Sequence, residues 1–120
     1  MADRKGPSFD KSPRELVERF AAVLDRYPDA ERKKMFGYPA AFVGGNLVTS
    51  LFRDRWTVRL PDDERATLLA LEGAAPFEPM EGKPMKGYAL LPKPLADDPD
   101  GAAAWVERAV AFGRTLPPKK

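Results

Sequence analysis

The sequence predicts an α+β fold, a two-layer sandwich with helices on one face of a mainly antiparallel five-stranded sheet. Three observations carry this. Residues 35–61, M-F-G-Y-P-A-A-F-V-G-G-N-L-V-T-S-L-F-R-D-R-W-T-V-R-L-P, hold three runs rich in β-branched and aromatic residues. They are broken at Gly44-Gly45-Asn46 and at Arg53-Asp54, which is the signature of a β-meander. Three stretches of helical periodicity surround it. A chain of 120 residues, 43% hydrophobic and 32% charged, has room for one modest core and one domain.

Residues 1–12 show no periodicity and read as a leader ahead of a single domain over 13–117, with 118–120 as a tail. Ser12-Pro13-Arg14-Glu15 has the form of a capping box and opens a helix over 13–27, whose buried stripe is Leu16, Val17, Phe20, Val23, Leu24 and Tyr27. Residues 29–34 read as a connector. Their Arg32-Lys33-Lys34 run is either a solvated link or a phosphate contact. In the strand over 36–43, Pro39 lacks an amide hydrogen and predicts a bulge or an edge near the start. The strand over 47–52 is apolar on both faces apart from Thr49 and Ser50, so its second face needs a cover, and a dimer partner is one candidate. In the third strand Trp56, Val58 and Leu60 alternate with Arg55, Thr57 and Arg59, which predicts one buried and one wet face.

Pro61-Asp62-Asp63-Glu64 places carboxylates at the start of a second helix, where they complement free amides and the dipole. Leu68, Leu69 and Leu71 form its apolar face and Gly73 closes it. Short strands over 77–80 and 88–91 follow, joined by the loop 81–87. Met80 and Met85 read as core fillers or as an adaptable binding surface. Asp98-Pro99-Asp100 then caps a third helix with Ala102, Trp105, Val106, Ala109, Val110 and Gly113 on its packed face, ending before Pro117-Pro118. The predicted order is α-β-β-β-α-β-β-α.

The chain has no cysteine and no histidine. Disulfides, thiolate nucleophiles, His-based triads and the commonest zinc ligands are excluded together. The best catalytic set that can be assembled, Lys33 and Tyr38 near Glu31, matches no known constellation, so the expectation is a protein that is not an enzyme and needs no cofactor. No apolar run approaches the roughly 20 residues of a membrane span, and the first residues lack the apolar core of a secretory signal, which predicts a cytoplasmic protein without membrane contact. Net charge is only +2, but residues 1–61 carry 12 basic and 8 acidic side chains, so the first half is the basic half. Two sets of candidate residues follow. Arg32, Lys33, Lys34, Arg53, Arg55, Thr57 and Arg59 form a possible interaction surface for a protein, a second copy of the chain or a nucleic acid. Met35, Phe36, Met80 and Met85 form a possible small-ligand pocket between sheet and helices.

Five segments add a resemblance: R-K-K-M-F-G at 32–37, G-G-N-L-V at 44–48, A-P-F-E-P at 75–79, G-K-P-M-K-G-Y-A-L-L-P at 82–92, and D-D-P at 97–99 with Trp105 and Ala109 after it. In this order and spacing the chain resembles the N-terminal domain of TfoX/Sxy proteins, bacterial regulators associated with natural competence. The resemblance implies a two-layer sandwich similar to the secretion-chaperone-like fold and a non-enzymatic regulatory or interaction module. Longer members carry a second, helical C-terminal domain, and the expectation for this chain is a stand-alone N-terminal domain. Tyr38 stands where many members have another glycine after M-F-G.

Overall fold

The computed structural model describes residues 11–80 and 82–118, so most of the expected leader and tail lies outside the described residues. It is an α+β fold with one open antiparallel sheet and helices packed against it. The elements are α1 (Arg14–Leu24), β1 (Glu31–Met35), β2 (Tyr38–Val43), β3 (Asn46–Phe52), β4 (Arg55–Arg59), α2 (Asp62–Leu69), β5 (Ala75–Pro76), β6 (Tyr88–Leu90), α3 (Lys93–Ala96) and α4 (Pro99–Thr115). The sheet has six strands in the order β1-β2-β3-β4-β6-β5 rather than five. The extra strand is β1, the stretch read as a connector. The strand expected over 77–80 is instead a two-residue β5 just before it, and α3 is an additional short helix.

Three two-residue loops stitch the first four strands together. Phe36 and Gly37 have φ of 55° and 82°, Gly44 and Gly45 have 59° and 83°, and Arg53 has 56°. In the first two, positive φ at both loop positions gives the primed turn whose twist suits adjacent strands, and in the third only Arg53 is left-handed. Asn46 is already the first residue of β3 and needs no such backbone. Pro39 lies inside the sheet, opposite Lys34 of β1, but the β2–β3 ladder begins only at Ala40, so its missing amide breaks no bond there. Further along, the register shifts between Ala41 and Phe42. Ala41 faces Thr49 while Phe42 faces Leu47, which leaves Val48 as an extra residue in β3.

That bulge meets α4. Val43 and Val48 lie against Gly113, where a Cβ would come within 2.4 Å of Val48 Cγ1 and 3.3 Å of Val43 Cβ. The helix face of the sheet buries Trp56, Val58 and Leu60 against Phe20, Val106 and Val110 among others, and Phe20 and Trp56 stack at 5.3 Å. The α4 cap forms as expected, with the Asp98 carboxylate accepting from the Asp100 amide. The α1 capping box does not: Ser12 Oγ donates to the Arg53 carbonyl at 2.6 Å, which ties the start of the helix to the β3–β4 turn. Leu71, expected on the apolar face of α2, is exposed.

The second face of the sheet is covered from within the chain. Phe77 and Tyr88, at the two ends of the segment joining β5 to β6, bury against Ala40 and Leu47, with Met35, Phe42, Phe52, Met85 and Leu90 packed around them. The Tyr88 hydroxyl donates to the Leu47 carbonyl at 2.9 Å. Thr57 is fully buried on this face and its hydroxyl shares a 2.8 Å hydrogen bond with Ser50. The predicted wet row of β4 is therefore largely enclosed, and the apolar second face of β3 needs no second copy to cover it. Across the sheet, Trp56 Nε1 donates to Thr49 Oγ1, which in turn donates to the Thr57 carbonyl, so the buried polar groups at the centre are satisfied.

Replacing Gly113 with alanine forces the new methyl into Val48. A loss of about 1–3 kcal/mol is expected, read as a fall in the urea midpoint, and an unchanged midpoint would mean that α4 is free to move off the bulge. Burial raises the Tyr88 phenol above its ordinary value of 10.0, with Arg59 pulling it back. A raised value gives stability that is complete below the unfolded pKa and is lost as pH rises through the folded one. Urea titrations between about pH 9 and 11 should therefore show a steeper alkaline loss in the natural protein than in Tyr88→Phe. Parallel curves would place this hydroxyl in water.

Candidate interaction surface

The cations singled out in the sequence do not form one patch. Along β1 the side chains alternate between faces. Arg32 lies on the helix side, where it donates to the Ala21 carbonyl at 3.0 Å and pairs with Asp25 at 2.5 Å. Lys33 lies on the other side, over the Phe42 ring and 3.7 Å from Glu31. Lys34 returns to the helix side. Arg53 occupies the β3–β4 turn with its guanidinium over Phe52. Arg55 donates to the carbonyls of Gly73 and Leu91, fastening the loop after α2 and the end of β6 to β4. Arg59, at the opposite end of β4 from Arg53, lies between the Tyr88 and Phe112 rings at 5.5 and 6.0 Å. Arg32, Arg55 and Arg59 thus bind parts of the chain to each other, while Lys33, Lys34 and Arg53 face outward.

The four proposed pocket residues also separate. Met35 and Met85 pack into the second-face cluster. Phe36 and Met80 are exposed, at 57% and 59%. Met80 sits in a turn closed by a single bridge to Lys83. Phe36 is different, because it crowns the β1–β2 hairpin in the left-handed region that a bulky side chain rarely adopts. Its ring meets Phe52 edge-on at 6.1 Å, and Phe52 meets Phe77 at 5.3 Å, so the exposed aromatic is the visible end of a row rooted in the second-face cluster.

Beside Phe36 is a cleft of about 550 Å³ lined by Lys11, Ser12, Val17, Lys34, Tyr38 and Pro39. A second cleft, about 700 Å³, lies between Arg59, Arg65, Met85, Lys86 and Phe112. In the second cleft Arg65 is occupied by the Leu60 carbonyl and Asp62.

The hairpin is held firmly at its base. Arg114 of α4 donates twice to Asp29, at 2.8 and 2.9 Å, and these bonds keep the Asp29 carboxyl below its ordinary range. With Arg32 bonded to α1, the approach to β1 is fixed from both helices. All of β1 apart from Met35 is exposed, and its outer edge pairs with no described strand. Sequence periodicity missed this strand because E-R-K-K-M has no alternation of apolar and polar residues. The available signal was F-G, a two-residue turn with glycine second, followed by an unmistakable strand.

No helix of the described residues is long and apolar enough to cross a membrane. A search of curated proteins and of solved structures found no match to the chain. The family model described as the TfoX N-terminal domain matches residues 22–113, a span that runs from within α1 to Gly113 and includes all six strands and the cleft wall at Lys34 to Pro39. The chain belongs to the TfoX N-terminal domain family.

Proposed function

We propose that this protein is a non-enzymatic regulatory domain that works in the cytoplasm by holding a protein partner, in transcriptional regulation as the family resemblance implies. The observation that carries the reading is Phe36: an exposed aromatic kept in a left-handed backbone at the tip of a hairpin whose outer strand is an open edge. Strain of this kind costs about 1–2 kcal/mol for an ordinary residue, and glycine or asparagine would relieve it. A large apolar side chain facing water in such a position serves contact rather than the fold. Lys34 and Arg53 flank it and supply a polar rim.

Direct nucleic-acid binding draws on the same cations and is favoured less by their positions. Half of them are bonded to the chain itself, and Arg53 and Arg59 lie at opposite ends of β4. A polyanion track needs several free charges in line. A gel-shift titration with duplex DNA at low salt is expected to show no complex, and a shift that weakens steeply with salt would favour the nucleic-acid reading instead.

Phe36→Gly separates contact from stability. Relief of the left-handed strain offsets loss of the edge contact with Phe52, which is itself worth about 0.5–1.5 kcal/mol, so the net change in stability should stay under about 1 kcal/mol. A photo-crosslinking phenylalanine analogue placed at position 36 in cells should give a discrete adduct that is absent when the analogue replaces Glu107 on the exposed face of α4. The adduct should also disappear when Lys34 is changed to Glu. Equal adducts at both sites, or none at 36, would sink the proposal.

A further inference from the structure

We propose that β1 is a docking edge for an extended acidic segment of a partner protein, which adds as a seventh strand and seats an apolar side chain in the cleft beside Phe36. This rests on the contact role assigned to the hairpin and names the chemistry of the partner.

The backbone supplies the first part. In a two-residue hairpin the closing pair, here Met35 and Tyr38, exchanges both hydrogen bonds, and bonded and non-bonded pairs then alternate along the strands. Lys33 and Glu31 therefore turn their backbone groups toward β2, while Arg32 and Lys34 turn theirs toward the open edge. Those two residues offer two amides and two carbonyls at the spacing of an added strand. The other edge of the sheet cannot serve in the same way, because β5 is two residues long and its second residue is Pro76.

Charge selects the occupant. Lysines on an edge strand commonly guard against pairing with another copy, and here the guard is specific. Antiparallel self-pairing centred on Lys33 would set Lys33 against Lys33 and Arg32 against Lys34, which is destabilising. Lys33 and Lys34, the outward-facing cations of the strand, attract a segment bearing carboxylates, while Arg32 is already paired with Asp25. The cleft then distinguishes a docking edge from a merely protected one: a partner residue beside Lys34 projects to the helix side, over Val17, Phe36 and Tyr38, in a cleft that Lys11 and Lys34 also line. A residue opposite Lys33 projects to the other side, where that lysine lies over Phe42. The segment that fits alternates apolar and acidic residues, the apolar ones toward the helices.

The test is selection of binders to the full chain from a display library of random peptides of about ten residues. Enrichment of alternating acidic and apolar sequences is expected, with amide shifts in ¹⁵N spectra concentrated at Arg32 and Lys34. Lys34→Pro removes an outward amide without touching the β1–β2 ladder and should weaken a selected peptide about ten-fold or more. The peptide itself gives a check that cannot disturb the fold: N-methylation of alternate amides should abolish binding in one register and leave it intact in the other. Peptides that bind equally well in both methylated registers and depend only on Phe36 overturn strand addition while keeping the hairpin as a contact. Enriched sequences that are neutral or basic overturn the acidic assignment. Failure to select any peptide, together with no adduct from position 36, overturns both readings.

Discussion

The β3–β4 hairpin must be buried on both faces, and most of the structure follows from that constraint. Leu47 to Leu51 and Trp56 to Val58 leave almost no surface to water on either side. A sheet of this kind in a small domain needs two covers. Helices α1 and α4 supply one. The other is not a second layer of helix but the segment running from Phe77 to Tyr88, whose two aromatic ends anchor it across the strands. Because this segment is continuous with β6, the cover is covalently tied to the strand that pairs with β4.

The two covers make different demands on the sheet. On the helix side the bulge at Val48 brings an additional side chain to the surface, and α4 answers with glycine at its point of closest approach. On the opposite side the strands carry Ala40, Ser50 and Thr57 at the centre, small enough for aromatic rings to lie close. Hydroxyls are tolerated there because they bond one another and the backbone. With both faces of β3 and β4 closed, the described residues of the sheet still offer other molecules the exposed strand β1 and the hairpin tip.

Much of the fold was legible in the sequence, for identifiable reasons. Gly44-Gly45 and Arg53-Asp54 marked real turns because two-residue hairpins require particular backbone angles, and Asp98-Pro99 marked a real helix start. The strand β1 was hidden because both of its faces are exposed apart from Met35, so no apolar pattern records it. Arg55, Thr57 and Arg59 were read as a wet row because period-two alternation identifies the more polar face of a strand but not what lies over it. Leu47 to Phe52 did announce a need for cover, and the sequence could not say whether it came from within the chain. At the candidate site, Phe36 was legible as an apolar residue but not as an exposed one. Its exposure depends on a turn conformation that a phenylalanine would not be expected to adopt.

The covering segment also bears on how the protein is made. The meander is complete once Arg59 has been synthesised, yet one face of it stays bare until Phe77 and Tyr88 follow, and the other has only α1 to cover it until α4 does. During translation at roughly 5–20 residues per second, the last Ala40- and Leu47-facing ring arrives a few seconds after the strands it must shield. Strands that pair before those residues are in place would show bare apolar surface, which makes a folding chain prone to aggregate. The charges of β1 are already in place by then and keep neighbouring nascent chains from joining at that edge.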